Sequence, residues 1–172
     1  MELLEQFALG ELEAFETLFR QFQGEVYRWI LRIVRDSGVA EDLTVETFWR
    51  IYRTRARFNP SRSFGPWARR IGTNVALDYL KTVRPAASLS ENWSHGLPPD
   101  PAVRQDIHDR IERAFRQLPA TFRVVASLAL IEQRPYEEIA EALGTPVGTV
   151  KSRVFRSVRM LRKELKRQGI EP

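Results

Sequence analysis

Apolar side chains recur at three- and four-residue steps through Phe15, Leu18, Phe19, Phe22, Val26, Ile30 and Ile33. That spacing lays one buried stripe along a helix. Asp36-Ser37-Gly38 interrupts the pattern, and a second helix is predicted through Leu43, Phe48, Ile51 and Tyr52. The segment Phe58-Asn59-Pro60-Ser61-Arg62-Ser63 reads as a loop. Ser63 is placed to cap a helix running to about Lys81, with Pro66 tolerated in its first turn. Trp67, Ile71, Val75 and Tyr79 give that helix an apolar stripe, and Arg70, Asn74 and Lys81 a polar strip beside it. Strand-like alternation never survives more than a few residues, so the chain is predicted to be all-α.

Residues 85–103 break the periodicity. Pro85, Pro98, Pro99 and Pro101, with Ser88, Ser90, Ser94 and Gly96, make a poor helix former with little to offer a core. The stretch reads as a flexible linker between two small helical domains, 1–84 and 104–172. Beyond it, Ile107, Ile111, Ala114, Phe115 and Leu118 predict a helix stopped by Pro119. Phe122, Val125, Leu128 and Ala129 predict another, stopped near Arg134-Pro135.

Residues 136–161 carry the sharpest local signal. A helix from Tyr136 to Leu143 ends at Gly144, which suits the left-handed backbone of a tight turn. Thr145 is placed to cap the next helix, with Pro146 at its first position. Ala140 before the turn and Val150 after it supply the small residue at a helix crossing and the branched residue facing it. Together these are the requirements of a helix-turn-helix; a plain helical hairpin is the competing reading. On the second helix Val147, Val150, Val154, Val158 and Leu161 define a buried stripe. At about 100° per residue the opposite face carries Thr149, Ser152, Arg156 and Arg159, with Arg153 and Phe155 at its edges and Lys151 near the buried side. Residues early on such a helix reach base edges in the major groove. Arg162, Lys163, Lys166 and Arg167, further on, suit phosphate or solvent.

Composition narrows the class. The chain lacks cysteine, which excludes disulfides and thiolate chemistry. Its first residues are acidic, unlike a signal peptide, and no apolar run is long enough to span a bilayer. A cytoplasmic protein without membrane insertion is expected. The net charge of +5 is unevenly spread. Residues 1–46 hold ten acids and four bases; residues 47–77 hold seven arginines and no acid. Residues 145–168 hold eight bases and one acid, Glu164. Two basic surfaces and one acidic surface need explaining, a plain solvated face being the competing account of either basic stretch alone.

The motifs resemble one family in chain order. The stretches YEEIAEALG (136–144) and PVGTVKSRVFR (146–156) are similar to region 4 of extracytoplasmic-function sigma factors, the smallest branch of the sigma-70 family. LPATFR (118–123) resembles the lead-in to that region. AEDLTVETF (40–48) is similar to the family's polymerase-binding helix, and FNPSRSFGPW (58–67) with Ile71, Asn74 and Asp78 resembles its promoter-recognition and melting segment. The resemblance implies a transcription initiation factor whose partners are core RNA polymerase (β′ clamp and β flap), promoter DNA and an anti-sigma factor. It implies that Glu41, Asp42 and Glu46 bind core polymerase, although Val45 stands where the family usually has glutamine. It implies that Asn59, Ser61, Arg62, Ser63, Phe64, Arg70 and Asn74 serve the −10 element, the loop 59–64 taking a flipped base. Lys151, Ser152, Phe155 and Arg156 would read the −35 element, joined by Thr149, Arg153 and Arg159 from the helical face. Phe58 and Trp67 are expected to be core residues, and Trp93 has no clear role in its polar stretch.

An enzyme reading finds little support. His95 and His108 lie in or beside the linker, away from any dyad or metal cluster, so no catalytic residue, metal or cofactor is expected. GTPVGTVKS (144–152) superficially resembles a phosphate-binding loop, but its lysine is displaced and no strand precedes it. A stand-alone helix-turn-helix regulator is the stronger rival. It accounts for 104–168 but not for the acidic helix or the acid-free stretch after it.

Overall fold

The computed structural model describes residues 2–82 and 100–170. Most of the expected linker, with Trp93 and His95, lies outside the described residues. Those described form eight α-helices and no strand, the all-α class expected from the periodicity. The chain divides into two compact units, one centred on residues 1–79 and the other on 80–140 and 145–172.

The first unit opens with a helix the periodicity did not signal, α1 (Leu3–Leu9). Glu2 and Glu5 form a reciprocal capping box at its start. Gly10, at φ 96°, ends it in the left-handed conformation that glycine adopts without strain. Helices this short are marginal alone, and α1 is held by Phe7, which is fully buried. α2 (Leu12–Val34) buries Leu18, Val26, Ile30 and Ile33 as its stripe predicts, and Trp29 beside them. The break at 36–38 is shorter than expected. Asp36 is the N-cap of α3 (Ser37–Thr54), accepting from the Val39 amide at 2.9 Å, so Ser37 and Gly38 already belong to the helix.

One tight helical turn (Arg55–Arg57) and the loop 58–63 lead to α4 (Phe64–Thr82). The stripe that α4 buries is rotated from the expected one. Phe64, Ala68, Thr73, Val75 and Ala76 are inside, while Trp67, Ile71 and Tyr79 are half-buried. A buried hydrogen bond explains part of the rotation. The Trp29 indole N–H donates to Thr73 Oγ1 at 2.9 Å, and that hydroxyl donates to the Arg69 carbonyl at 2.7 Å. Thr73 is drawn inward because it satisfies an indole that α2 buries.

In the second unit α5 spans Pro101–Gln117. Asp100 caps it by accepting from the Ala102 amide, and Pro101 takes the first position, where a missing N–H is harmless. Pro101–Val103 therefore belong to a helix, not to the linker that proline content suggested. α6 (Ala120–Ala126) runs into a wide π turn (Ser127–Ile131). Arg134 then fastens α7 (Tyr136–Leu143) with a forked pair of hydrogen bonds to Glu138, at 3.1 and 2.8 Å. α8 (Val147–Arg167) is the last helix. Ala114, Phe115, Leu118, Ala126 and Leu161 form the buried cluster that joins α5, α6 and α8, with Ile111, Phe122, Met160 and Leu165 packed on it.

Candidate nucleic-acid interface and docking face

The helix-turn-helix forms as its sequence predicts, with changed details at the turn. Gly144 adopts φ 63°, and the Thr145 amide closes the turn on the Ala140 carbonyl at 3.0 Å. Thr145 does not cap α8. Its hydroxyl is buried without a hydrogen-bond partner, and Pro146 occupies the N-cap position instead. The buried stripe of α8 is Val150, Val154, Ser157 and Leu161. Ser157 replaces the expected Val158 because its hydroxyl finds acceptors inside, the Arg153 carbonyl at 2.7 Å and the Phe122 carbonyl at 3.2 Å. A serine satisfied in this way packs like a small apolar residue.

The outward face of α8 is basic. Lys151, Ser152, Phe155, Arg156 and Arg159 are exposed, while Thr149 and Arg153 are partly covered. Lys151 thus stands on the open face and not near the buried side. Phe155 is 65% exposed, and the Arg159 guanidinium sits 6.0 Å from its ring centre. An exposed aromatic among cations offers an apolar contact for a thymine methyl beside groups that fork onto guanine.

The loop ahead of α4 is small, polar and internally tied. Asn59 Oδ1 accepts from the Ser61 amide and the Asn59 carbonyl from the Arg62 amide, each at 2.9 Å. Asn59, Ser61, Arg62 and Ser63 are exposed, as are Arg70 and Asn74 on α4. Phe64 is not on this surface. Only 3% exposed, it packs with Phe58 and Trp67 in an aromatic cluster beneath the loop.

α3 presents a third surface. Glu41, Asp42, Val45 and Trp49 share one exposed stripe. Val45 is 69% and Trp49 56% exposed, so acids border an open apolar strip. Trp49 stands one helical turn after Val45 on this stripe. Glu46 is only half-buried, but its carboxylate is engaged. Arg50 donates to it at 2.8 Å and to Asp78 at 3.1 Å, joining α3 to α4. The bond to Glu46, then that to Asp78, raises the Arg50 guanidinium above its ordinary value. Sequence reasoning placed Glu46 with the docking acids but missed this internal pairing; an arginine four residues on was the available signal.

Comparison with known proteins falls on both units. The model described as Sigma-70 region 2 matches residues 18–85, and that described as Sigma-70, region 4 matches residues 108–161. The chain is 35% identical to ECF RNA polymerase sigma factor SigE of Mycolicibacterium smegmatis, covering 93% of this chain and 65% of that protein. It is 30% identical to ECF RNA polymerase sigma factor SigW of Bacillus subtilis, covering 95% of each. Among solved structures, CnrH in complex with the cytosolic domain of CnrY shares the fold, with a TM-score of 0.59 at 23% identity over 95% of each chain.

Proposed function

The chain belongs to the extracytoplasmic-function sigma factors of the sigma-70 family, and we propose how its surfaces divide that family's work. It is an RNA polymerase sigma factor, directing DNA-templated transcription initiation at chosen promoters. The open face of α8 reads the −35 element as duplex, with Arg156 and Ser152 central and Phe155 supplying the apolar contact. The loop 59–63, with Arg70 and Asn74, takes the −10 element, where an opened duplex offers unstacked bases. Glu41, Asp42, Val45 and Trp49 dock on the β′ clamp of core polymerase, and the second unit meets the β flap. An anti-sigma factor competes for these surfaces. No catalytic step is assigned to the chain itself, and its place of work is the cytoplasm.

One observation carries the division of labour: an acid-bordered apolar stripe on α3 occurs in the same chain as a bare basic face on α8. A stand-alone DNA-binding regulator needs only the second. Apolar centres with charged rims suit a protein partner, and the acids add steering toward a basic one.

The test is run-off transcription with core polymerase over a promoter library. Wild type is expected to start transcription only with core present. Glu41→Arg with Asp42→Arg is expected to abolish holoenzyme formation while the chain stays folded, since repulsion replaces attraction at roughly 2–5 kcal/mol. A double variant that forms holoenzyme normally would refute the docking face. Tight binding of promoter duplex by the isolated chain would favour the regulator.

A further inference from the structure

Phe7 lies ahead of the region matched by either family model, which begins at residue 18. It is nevertheless one of the largest side chains buried completely. Its ring meets Phe64 at 5.5 Å and Phe58 at 5.8 Å, both edge-on, and Trp67 at 6.2 Å. Phe58 and Phe64 are the residues immediately flanking the loop 59–63. One ring from α1 therefore touches both ends of the loop, and the two ends meet each other at 5.9 Å. Edge-to-face packing of this kind is directional, so it fixes orientation as well as filling space.

α1 is itself tied to the segment that precedes the loop. Arg55 packs against Gly10, where an added Cβ would lie 2.9 Å from the arginine Nε. The Arg55 guanidinium stacks 4.3 Å from the Tyr52 ring centre and donates to the Tyr52 carbonyl at 2.8 Å. A short helix with a single fully buried ring thus spans the base of the loop. The loop's own bonds, from Asn59 to Ser61 and Arg62, set its curvature but not its attitude to α4.

We propose that Phe7 is a positioning residue for promoter melting: it holds both ends of the loop 59–63 so that the loop is preformed to receive an unstacked −10 base. The inference rests on the reading of that loop as the −10 site. Pre-organisation matters because a base leaving its stack must find its acceptor already in place, and a displacement of about 1 Å is enough to lose about a hundredfold in such settings. Most of that loss is expected to fall on recognition of the base, because the rings Phe7 meets are those that flank the loop and Trp67 beside them.

The experiment uses holoenzyme assembled with wild type, Phe7→Ala, Phe7→Leu, and Leu9→Ala as an exposed control on the same helix. The probe is a single-stranded oligonucleotide carrying the non-template −10 segment of a promoter that the wild-type holoenzyme selects. A second oligonucleotide has its −10 bases changed. Core binding and affinity for the −35 duplex are measured alongside. Phe7→Ala is expected to lower the ratio of matched to changed binding by about tenfold, with core binding and duplex affinity within twofold of wild type. Phe7→Leu is expected to recover part of the ratio, and Leu9→Ala all of it. An unchanged ratio in Phe7→Ala overturns the inference, as does an equal fall in all three measurements, which would make α1 a general element of the fold. If the alanine variant does not fold, Phe7→Leu decides by the same criteria. A wild-type holoenzyme that fails to discriminate the two oligonucleotides overturns the loop reading and the inference with it.

Discussion

Arg156 and Lys166 are both exposed on α8, and on the proposed reading they separate base reading from phosphate contact. Arg156 stands on the open face between Ser152 and Arg159. Lys166 lies ten residues on, about 15 Å further along the axis at a rise of 1.5 Å per residue. A major groove about 12 Å wide cannot hold both against base edges. Arg156→Ala is expected to weaken binding to the cognate −35 sequence by roughly 1–3 kcal/mol, or about 5- to 140-fold. It should also flatten preference at one base pair. Lys166→Ala is expected to weaken binding to every sequence alike and to reduce the salt slope by about 0.9. Between 50 and 200 mM salt its deficit relative to wild type should therefore shrink by about 3.5-fold. The assay is holoenzyme binding to promoter variants at each −35 position across a salt series. Arg156→Ala also removes a charge, so a slope change alone decides nothing; the base profile decides. Identical profiles for the two variants would refute the orientation of α8 in the groove.

Two further predictions concern the scaffold beneath the surfaces. Thr73→Val keeps the side chain's shape but leaves the buried Trp29 N–H without its acceptor, so urea unfolding should show a loss of about 1–3 kcal/mol; a loss below about 0.5 kcal/mol would mean the indole finds another acceptor. Asp36→Ala removes the cap of α3 and should destabilise by about 1 kcal/mol, lowering the thermal midpoint by roughly 2–8 °C. Asp36→Asn should retain most of that stability, and an alanine variant as stable as wild type would show that the Val39 amide is satisfied by solvent.

Much of this molecule is written in its apolar spacing, and the exceptions share a cause. The stripe of α2, the turn at Gly144 and the exposed placement of Ser152 and Arg156 follow from periodicity and backbone preference alone. Periodicity cannot see polar residues that are satisfied inside. Ser157 and Thr73 are buried because carbonyl and indole partners wait for them, and both rotated the predicted faces. It also cannot see a helix that buries one large ring, which is why α1 and Phe7 were missed. The aromatic character of residues 58–67 was legible, but which rings turn inward depends on a partner 51 residues away in sequence, Phe7 against Phe58. Lys151 was misplaced for a simpler reason: a long side chain at the edge of a stripe extends to whichever side is open. Pro101 reads equally as linker or as the first residue of a helix, and only Asp100 before it tells the two apart.

Arg50 gives the first unit a property that neither face has alone. It holds Glu46 of α3 and Asp78 of α4, so the helix that carries the Val45–Trp49 stripe and the helix bearing Arg70 and Asn74 are fastened through a single guanidinium. Changes that retune either surface through Glu46 or Asp78 are therefore felt at the other. In evolutionary terms the two are pleiotropic. On the proposed division of surfaces, a descendant of this chain that changes Asp78 disturbs Arg50 and with it Glu46 on the docking helix, so the two traits are expected to drift together while Arg50 remains.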